Sequence, residues 1–440
     1  MHGPITVHSD HRTLLRDGTP FFWLADTCWS AFTNITDEEW DHYLDRRAEQ
    51  GFTVLQLNTL TQWDRCGAPR TRHPFATEDG IRYDFTRPDP AYFAHAQAMC
   101  RRAVDKGFTL ALVVMWCNYV PDTWASHIFP DNVLPEELVE PVVRTVCETF
   151  REFNPVWIVS GDTDFKSEAA RTRYRQVTEL VEQYGPGLPK AYHICGRSAD
   201  LPDWFADHAD FYLYQSGHNR AGQDCTFTLA EQFAARTPRR PVINSEPCYE
   251  QMGFSHKEYG RFRRSDTRRA LWQSLLAGAS AGITYGAHGV WNWQRDNAPA
   301  QQLIRHPGEE PVHFGEGFLR ALSWDKALTF PGAADYAFAR RFWLERAPAL
   351  PEPCQEILAA YTPQVRAARW GQEIVIYLPV NAPLPLQGDW SGYTAEALDL
   401  SGAGTRAPVS LDVQADGTTR LGMHPFYEDA LLILRANPRA

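Results

Sequence analysis

The sequence predicts an α/β fold, a (β/α)8 TIM barrel followed by a small antiparallel β-sandwich domain. Short apolar runs rich in β-branched and aromatic residues alternate with amphipathic stretches of helical length from residue 21 onward. Eight such alternations over roughly 300 residues match a single barrel. After residue 350 the pattern changes to Pro-rich turns and short alternating runs, which is typical of antiparallel strands. We therefore predict a barrel over 1–349 and a β domain over 350–440.

Each barrel strand is predicted from an apolar run that follows or precedes a chain-breaking residue. The eight runs are 'FFWLADTCW' (21–29), 'TVLQLNTL' (53–60), 'TLALVVMW' (109–116), 'PVWIVSGD' (155–162), 'KAYHIC' (190–195), 'FYLYQSGH' (211–218), 'PVINSEP' (241–247) and 'GITYGAHGVW' (282–291). Thr36 followed by acidic residues caps the first helix, and Pro135 opens a later one. A doubly wound sheet is the rival fold, but 'ADTCWS' after the first strand is not a Gly-rich phosphate loop.

Composition limits the partners of the protein. The net charge of -11 argues against binding to nucleic acid, and no apolar run is long enough to span a membrane. The polar start has no signal-peptide pattern, which predicts a cytoplasmic location. Nine cysteines without C-x-x-C pairs indicate reduced thiols. The oligomeric state cannot be predicted, because the apolar helix faces are already needed to pack on the barrel.

Two carboxylates stand at predicted strand ends, which meet at one pocket in a barrel. Glu246 ends strand seven and Asp162 ends strand four. Most glycoside hydrolases use two carboxyl groups that flank the glycosidic bond. Glu246 would be the ionised nucleophile, with Tyr285 or His288 as donors, or else half of a structural ion pair with an arginine. Asp162 would be the general acid and then the base; Asp164 competes for this role, and helix capping is the structural alternative.

Further polar and aromatic residues at the strand ends could bind a sugar. They are Asp26, Trp29, Asn58, Trp116, Asp164, His193, Gln215, His218, Tyr285, His288 and Trp291. Asp26 could bond two sugar hydroxyls or form an Asx turn, and each tryptophan could stack on a sugar ring or belong to the core. Three histidines with Asp26 could in principle build a zinc site, but no H-x-H or H-E-x-x-H motif is present. We predict no metal and no cofactor, and take the histidines either as ligands of sugar hydroxyls or as strand-end residues whose hydrogen bonds are satisfied within the protein.

Four segments carry a family resemblance: 'FFWLADTCW', 'GDTDF', 'PVINSEPCYE' and 'LLAGASAGITYGAHGVWNW'. They resemble the apiosidase-like glycoside hydrolases, glycoside hydrolase family 140 and its relatives, and the C-terminal segment resembles the small collagen-binding-like β domain that accompanies them. The resemblance implies an Asp acid/base at Asp162 and a Glu nucleophile at Glu246. The wider clan usually has an Asn just before the acid/base to hold the sugar 2-hydroxyl. Gly161 stands there instead, so that contact would fall to Asn58 or His218.

These observations predict a retaining, exo-acting glycoside hydrolase with a carbohydrate as its partner. It would cleave a terminal sugar, apiose-like or another furanosyl or pyranosyl residue, from oligosaccharides or small glycosides. The carboxyl groups would be about 5 to 5.5 Å apart in a retaining enzyme and about 6.5 to 9.5 Å apart in an inverting one. The alternatives are a catalytically inactive carbohydrate-binding barrel and a metal-dependent, amidohydrolase-like barrel. The C-terminal domain is expected to be a structural cap on the barrel.

Overall fold

The predicted fold class is confirmed by a computed structural model, which describes residues 2–62, 72–80, 82–128, 130–254, 258–296, 320–402 and 404–437. Eight parallel strands form the barrel: β1 Trp23–Thr27, β2 Val54–Asn58, β3 Thr109–Trp116, β4 Val156–Gly161, β5 Lys190–Ala191, β6 Tyr212–Tyr214, β7 Val242–Asn244 and β8 Gly282–Tyr285. Each strand pairs with the next, and β8 returns to β1. A single bridge from His193 to Leu213 joins β5 to β6 and completes the ring.

Eight helices follow the eight strands in turn. They are α1 Asp37–Glu49, α2 Pro90–Asp105, α3 Glu136–Phe150, α4 Glu168–Tyr184, α5 Asp203–His208, α6 Cys225–Ala234, α7 Arg264–Ala277 and α8 Gly332–Leu344. The start signals read from the sequence are present. Thr36 and Glu39 form a reciprocal capping box at α1, and Pro135 is the N-cap of α3. All residues of β1, β2, β3 and β4 are buried, as expected for a parallel sheet covered by helices.

Several short strands and helices lie outside the eight strand-helix units of the barrel. Three antiparallel strands, Thr6–Val7, Leu14–Arg16 and Thr19–Phe21, precede the barrel. Strands Phe75–Ala76 and Asp84–Pro88 pair between β2 and α2. Short helices cover Ala31–Asn34, Trp124–Ile128 and Trp324–Ala327. No helix of the described ranges has the length and apolar character to cross a bilayer.

Two antiparallel sheets form the C-terminal domain. Their strands are β9 Pro351–Pro353, β10 Arg366–Trp370, β11 Glu373–Leu378, β12 Leu384–Leu386, β13 Tyr393–Asp399, β14 Arg406–Val409, β15 Leu411–Val413, β16 Thr419–Leu421 and β17 Ala430–Ala436. The larger sheet has the order β9-β10-β11-β17-β13-β14 and the smaller one β12-β16-β15. Residues from both sheets, including Ile376, Leu386 and Leu421, bury a common hydrophobic core.

The C-terminal domain is tied to the barrel through a buried arginine. Arg268 on α7 lies 2.5 Å from Asp429 and 2.8 Å from Glu428 of the C-terminal domain, and 3.3 Å from Asp335 on α8. Tyr377 of β11 donates a hydrogen bond to Asp429 at 3.0 Å. The Arg268 side chain is 1% exposed, so its charge is compensated by carboxylates of both domains.

Candidate active site

Glu246 lies two residues beyond β7 and is only 6% exposed. His218 Nε2 lies 3.0 Å from its Oε1, and the Tyr249 hydroxyl donates to the same oxygen at 2.7 Å. His193 Nε2 lies 2.9 Å from Oε2. Among the described residues, the ion-pair partners of Glu246 are these two histidines and not an arginine. The carboxylate predicted as nucleophile is therefore held by side chains that follow β5, β6 and β7.

The surroundings of Glu246 keep it ionised. Burial alone would raise the pKa of its carboxyl group, but the adjacent imidazoles of His193 and His218 outweigh burial and lower the pKa from 4.5 to about 2. A carboxylate can attack an anomeric carbon only in its charged form. Glu246 meets this requirement at neutral pH.

His193 connects the two predicted catalytic positions. The backbone N–H of Asp162 donates to His193 Nδ1 at 3.1 Å, so that nitrogen acts as the acceptor. The ring hydrogen of the neutral imidazole therefore sits on Nε2, which lies 2.9 Å from Glu246 Oε2. One imidazole ring thus spans from the end of β4 to the carboxylate after β7. Sequence reasoning placed His193 at the site but not in this bridging position.

The backbone of Asp162 is held in an unusual conformation. Its φ is +50°, in the left-handed region that aspartate tolerates better than most residues. Trp124 Nε1 donates to the Asp162 carbonyl at 2.7 Å, and the Asp162 N–H is taken by His193. The residue is partly exposed. Both backbone polar groups are thus fixed at the point where β4 ends.

Asp164, the competitor for the acid role, has a different environment. Its carboxylate accepts a hydrogen bond from the backbone N–H of Lys166 at 3.3 Å and lies 3.3 Å from Lys166 Nζ. This is the Asx-turn geometry that commonly precedes a helix, here α4. The arrangement supports Asp162 over Asp164 as the acid/base candidate.

Trp116 explains why glycine stands at position 161. These residues are register partners on β3 and β4, and a Cβ added to Gly161 would lie 2.2 Å from the Trp116 ring. The Trp116 ring also packs edge-on against Trp29 at 5.4 Å and near His193 at 5.9 Å between centroids. An asparagine at 161 would have no room beside this indole. The space that a side chain at position 161 would need is filled by the Trp116 ring.

Asn58 and Gln215 lie at the ends of β2 and β6 as predicted. They are 3% and 6% exposed, and in the described part of the chain neither side-chain oxygen has a hydrogen-bond partner. Asn58 uses its amide N–H to bond Gln62 at 3.1 Å. A buried acceptor without a partner costs about 1 to 3 kcal/mol. A bound hydroxyl would offset that cost, so both stay candidates for substrate contact.

His288 and Trp291 follow β8 and contact each other. Trp291 Nε1 donates to His288 Nδ1 at 3.1 Å, and the rings are stacked with centroids 6.3 Å apart. The backbone N–H of Ser30, after β1, donates to the Trp291 carbonyl at 3.3 Å. The pair therefore lies beside the ends of β1 and β8. The described hydrogen-bond partners of the Glu246 side chain are His218 and Tyr249, and His193 lies against its second oxygen.

Asp26 and Tyr285, predicted as substrate-binding residues, contact other parts of the barrel and do not contact Glu246 among the described hydrogen bonds and ion pairs. Asp26 is completely buried and forms an ion pair with Arg47 of α1 at 2.7 Å, supplemented by the Tyr43 hydroxyl at 2.8 Å. Tyr285 donates to Glu250 at 2.6 Å and is also completely buried. Both side chains point toward the surrounding helices, so we assign them to the packing of helices on the barrel instead of to sugar binding or to Glu246.

Replacing Asp26 with asparagine is expected to lower the free energy of unfolding by about 3 to 5 kcal/mol, because it leaves the buried Arg47 charge without its partner. Urea denaturation measures this loss. Asp45→Asn is the matched control, since Asp45 pairs with Lys106 at the surface and its loss should cost less than about 1 kcal/mol. An Asp26→Asn protein with normal stability but impaired turnover would restore the sugar-contact interpretation.

Tyr249 is the site residue that sequence reasoning missed. It stands three residues beyond Glu246 in 'PCYE' and is 1% exposed. Trp29 Nε1 donates to its hydroxyl at 2.9 Å. Gly286 provides the space, since a Cβ there would lie 1.9 Å from the Tyr249 ring. Its position three residues after a candidate nucleophile is the sequence signal that points to it.

No group of three or more His, Cys, Asp or Glu side chains in the described ranges is arranged to hold a metal ion. The two histidines nearest Glu246 instead direct one nitrogen each at its carboxylate. The cysteines of the same ranges are free thiols.

Barrel proteins of known structure share this architecture across nearly the whole chain. One is a glycoside hydrolase with a TM-score of 0.77 and 20% identity, covering 100% of this chain and 98% of its own. Another is a glycoside hydrolase family 5 protein from Bacteroides vulgatus, with a TM-score of 0.76 and 21% identity over 99% and 93% of the two chains. A family 5 mannosidase from Rhizomucor miehei has a TM-score of 0.51 and 11% identity, over 78% and 99%. No curated protein matches the chain.

The match of a catalytic-domain family model to most of the chain, together with the barrel fold, defines the class of protein, a glycoside hydrolase. Its family follows from the sequence as a whole. The chain belongs to the apiosidase-like family, whose catalytic-domain model matches residues 8–349.

Proposed function

We propose that this protein is a retaining, exo-acting glycosidase that removes a terminal apiose-like or other furanosyl or pyranosyl sugar from oligosaccharides or small glycosides. Glu246 acts as the nucleophile and Asp162 as the acid/base. The observation that carries the proposal is the His193 bridge. A single imidazole accepts from the Asp162 backbone and lies 2.9 Å from an ionised, buried Glu246.

The proposed reaction has two steps. An oxygen of Glu246 bonds to the anomeric carbon while the glycosidic bond breaks, and Asp162 gives its proton to the departing oxygen. Asp162 then takes a proton from water, the water oxygen bonds to the anomeric carbon, and Glu246 is released as a carboxylate. The low pKa of Glu246 suits a nucleophile and leaving group. The partly exposed position of Asp162 allows water to reach it for the second step.

Asn58, Gln215 and Trp116 are proposed to bind the sugar. Each is buried and carries a side-chain polar atom for which the described residues supply no partner. Two of these atoms accept hydrogen bonds and one donates. Both acceptors and a donor can bind sugar hydroxyls, because a hydroxyl group can donate and accept hydrogen bonds.

A panel of aryl glycosides tests the proposal, with apiosides, arabinofuranosides and glucosides in both anomeric forms. We expect release of the aglycone from at least one member, and proton NMR of the first sugar product should show the anomeric configuration of the substrate. Inverted configuration would overturn the retaining mechanism. A protein whose melting temperature rises with sugar while no aglycone is released would instead be a catalytically inactive carbohydrate-binding barrel.

A further inference from the structure

Three buried side chains form a chain of hydrogen bonds that ends on Glu246. Trp29 Nε1 donates to the Tyr249 hydroxyl at 2.9 Å, and that hydroxyl donates to Glu246 Oε1 at 2.7 Å. Trp29 is 2% exposed and Tyr249 1% exposed. Trp29 follows β1, whereas Tyr249 and Glu246 follow β7, so the chain of bonds crosses from one strand end to another.

The chemistry of the three groups fixes the direction of each bond. An indole N–H can only donate, so the Tyr249 oxygen is the acceptor of the first bond. The hydroxyl has one hydrogen, and the carboxylate of Glu246 can only accept it. Burial raises the pKa of Tyr249 well above its usual value, so the hydroxyl keeps this hydrogen. Trp29 thereby holds Tyr249 in the orientation in which it donates to Glu246.

The two oxygens of Glu246 differ as a result. Oε1 is contacted by the Tyr249 hydroxyl and by His218 Nε2 at 3.0 Å. Oε2 lies 2.9 Å from His193 Nε2 in an ion-pair contact, and the described residues give it no hydrogen bond. Hydrogen bonds draw charge from Oε1 and restrict it, which leaves Oε2 the better nucleophile.

Close packing keeps this arrangement in place. The Trp29 ring lies 5.4 Å from Trp116 and 5.8 Å from His193, edge-on to both. The ring centroids of Tyr249 and His218 lie 4.4 Å apart. The Tyr249 ring also packs directly against Gly286, where an added Cβ would lie 1.9 Å from the ring. Neither Trp29 nor Tyr249 can rotate without displacing a neighbour of Glu246.

We propose that Trp29 is a positioning residue that acts through Tyr249, holding Glu246 Oε1 so that Oε2 is the attacking oxygen. This inference rests on the proposed function of Glu246 as nucleophile. It replaces direct sugar stacking as the role of Trp29. In the first step an electron pair of Oε2 forms the bond to the anomeric carbon, the glycosidic bond breaks, and the leaving oxygen takes the proton of Asp162.

The test is a double-mutant cycle with Trp29→Phe and Tyr249→Phe, assayed on a glycoside that the wild-type protein hydrolyses. Each single variant should lower kcat by about 10- to 100-fold, as expected for loss of a bond that orients a charged group. The double variant should be no slower than Tyr249→Phe alone, because Trp29 acts through the lost hydroxyl. The acidic limb of the pH profile of kcat/KM should move to higher pH in all three variants.

Two variants control for the loss of buried hydrogen bonds elsewhere. Trp40→Phe removes an indole bond to the Met99 carbonyl, and Tyr377→Phe removes a hydroxyl bond to Asp429. Both should leave kcat and the pH profile unchanged. If the kcat losses of the two single variants multiply in the double variant, Trp29 acts independently of Tyr249 and the inference is overturned. A Trp29→Phe protein in which only KM changes would likewise show that Trp29 contacts the sugar. A wild-type protein that cleaves no glycoside would overturn the proposed function and the inference with it.

Discussion

Replacing Glu246 with glutamine is expected to reduce kcat by roughly 10⁴-fold or more, because an amide cannot form the covalent bond to the anomeric carbon. The substitution keeps the size of the side chain and an acceptor for Tyr249 and His218. The barrel should therefore remain folded, which circular dichroism and thermal melting can verify. The measurement is aglycone release under saturating substrate.

Glu250→Gln is the matched control. Glu250 belongs to the same segment, is 2% exposed and accepts from Tyr285 and from the backbone N–H of Gly332. Glutamine can accept the same bonds, so activity should change by less than about twofold. Near-normal turnover in Glu246→Gln, or equal losses in the two variants, would rule out Glu246 as the nucleophile.

Replacing Asp162 with asparagine is expected to lower activity by about 10²- to 10⁴-fold on substrates whose leaving group needs a proton. The variant's loss of rate in the first step should be smaller for a leaving group that departs without protonation, such as dinitrophenolate. Rates for a series of aryl glycosides, plotted against the pKa of the leaving phenol, measure this dependence. A steeper slope in the variant than in the wild type is the signature of a missing general acid.

Asp164→Asn separates the two neighbouring aspartates. Asp164 contacts the backbone and side chain of Lys166, so its substitution should leave the slope unchanged. A steep slope in Asp164→Asn with a normal one in Asp162→Asn would transfer the acid role to Asp164.

The barrel could be predicted from the sequence because its eight strands are buried on both faces and therefore appear as continuous apolar runs. The run at 190–195 is the least regular. Only Lys190–Ala191 forms a ladder with β4, while His193 and Ile194 make isolated bridges. The chain departs from regular pairing where His193 turns toward Glu246. Local strand propensity does not contain that information.

The sequence does not show which side of the barrel wall Asp26 and Tyr285 face. They are register partners on β1 and β8, and both contact Arg47 on the helical side of the barrel. Successive residues of a strand face opposite sides, so a polar residue near a strand end can lie inside the barrel or outside it. The neighbouring Thr284 faces inward, where it bonds Gln56 at 2.7 Å. In a strand buried on both faces, the apolar pattern does not distinguish the two sides.

Tyr249 could not be found by examining strand ends because it lies beyond β7 in irregular backbone. Its role depends on contacts with Trp29 from β1 and with the space left by Gly286 after β8. These contacts are distant in sequence and arise only when the barrel closes. The carboxylates, by contrast, lie at or just past the ends of their own strands.

The ion pairs of Arg268 couple the stability of the C-terminal domain to that of the barrel. Arg268 on α7, the helix that follows the Glu246 segment, takes two of its three carboxylate partners from Asp429 and Glu428 of the C-terminal domain. An isolated barrel would keep only Asp335 as a partner of Arg268 and would lose the other two carboxylates. Deletion of the C-terminal domain is therefore expected to destabilise the barrel, and the two domains are expected to melt in one cooperative transition.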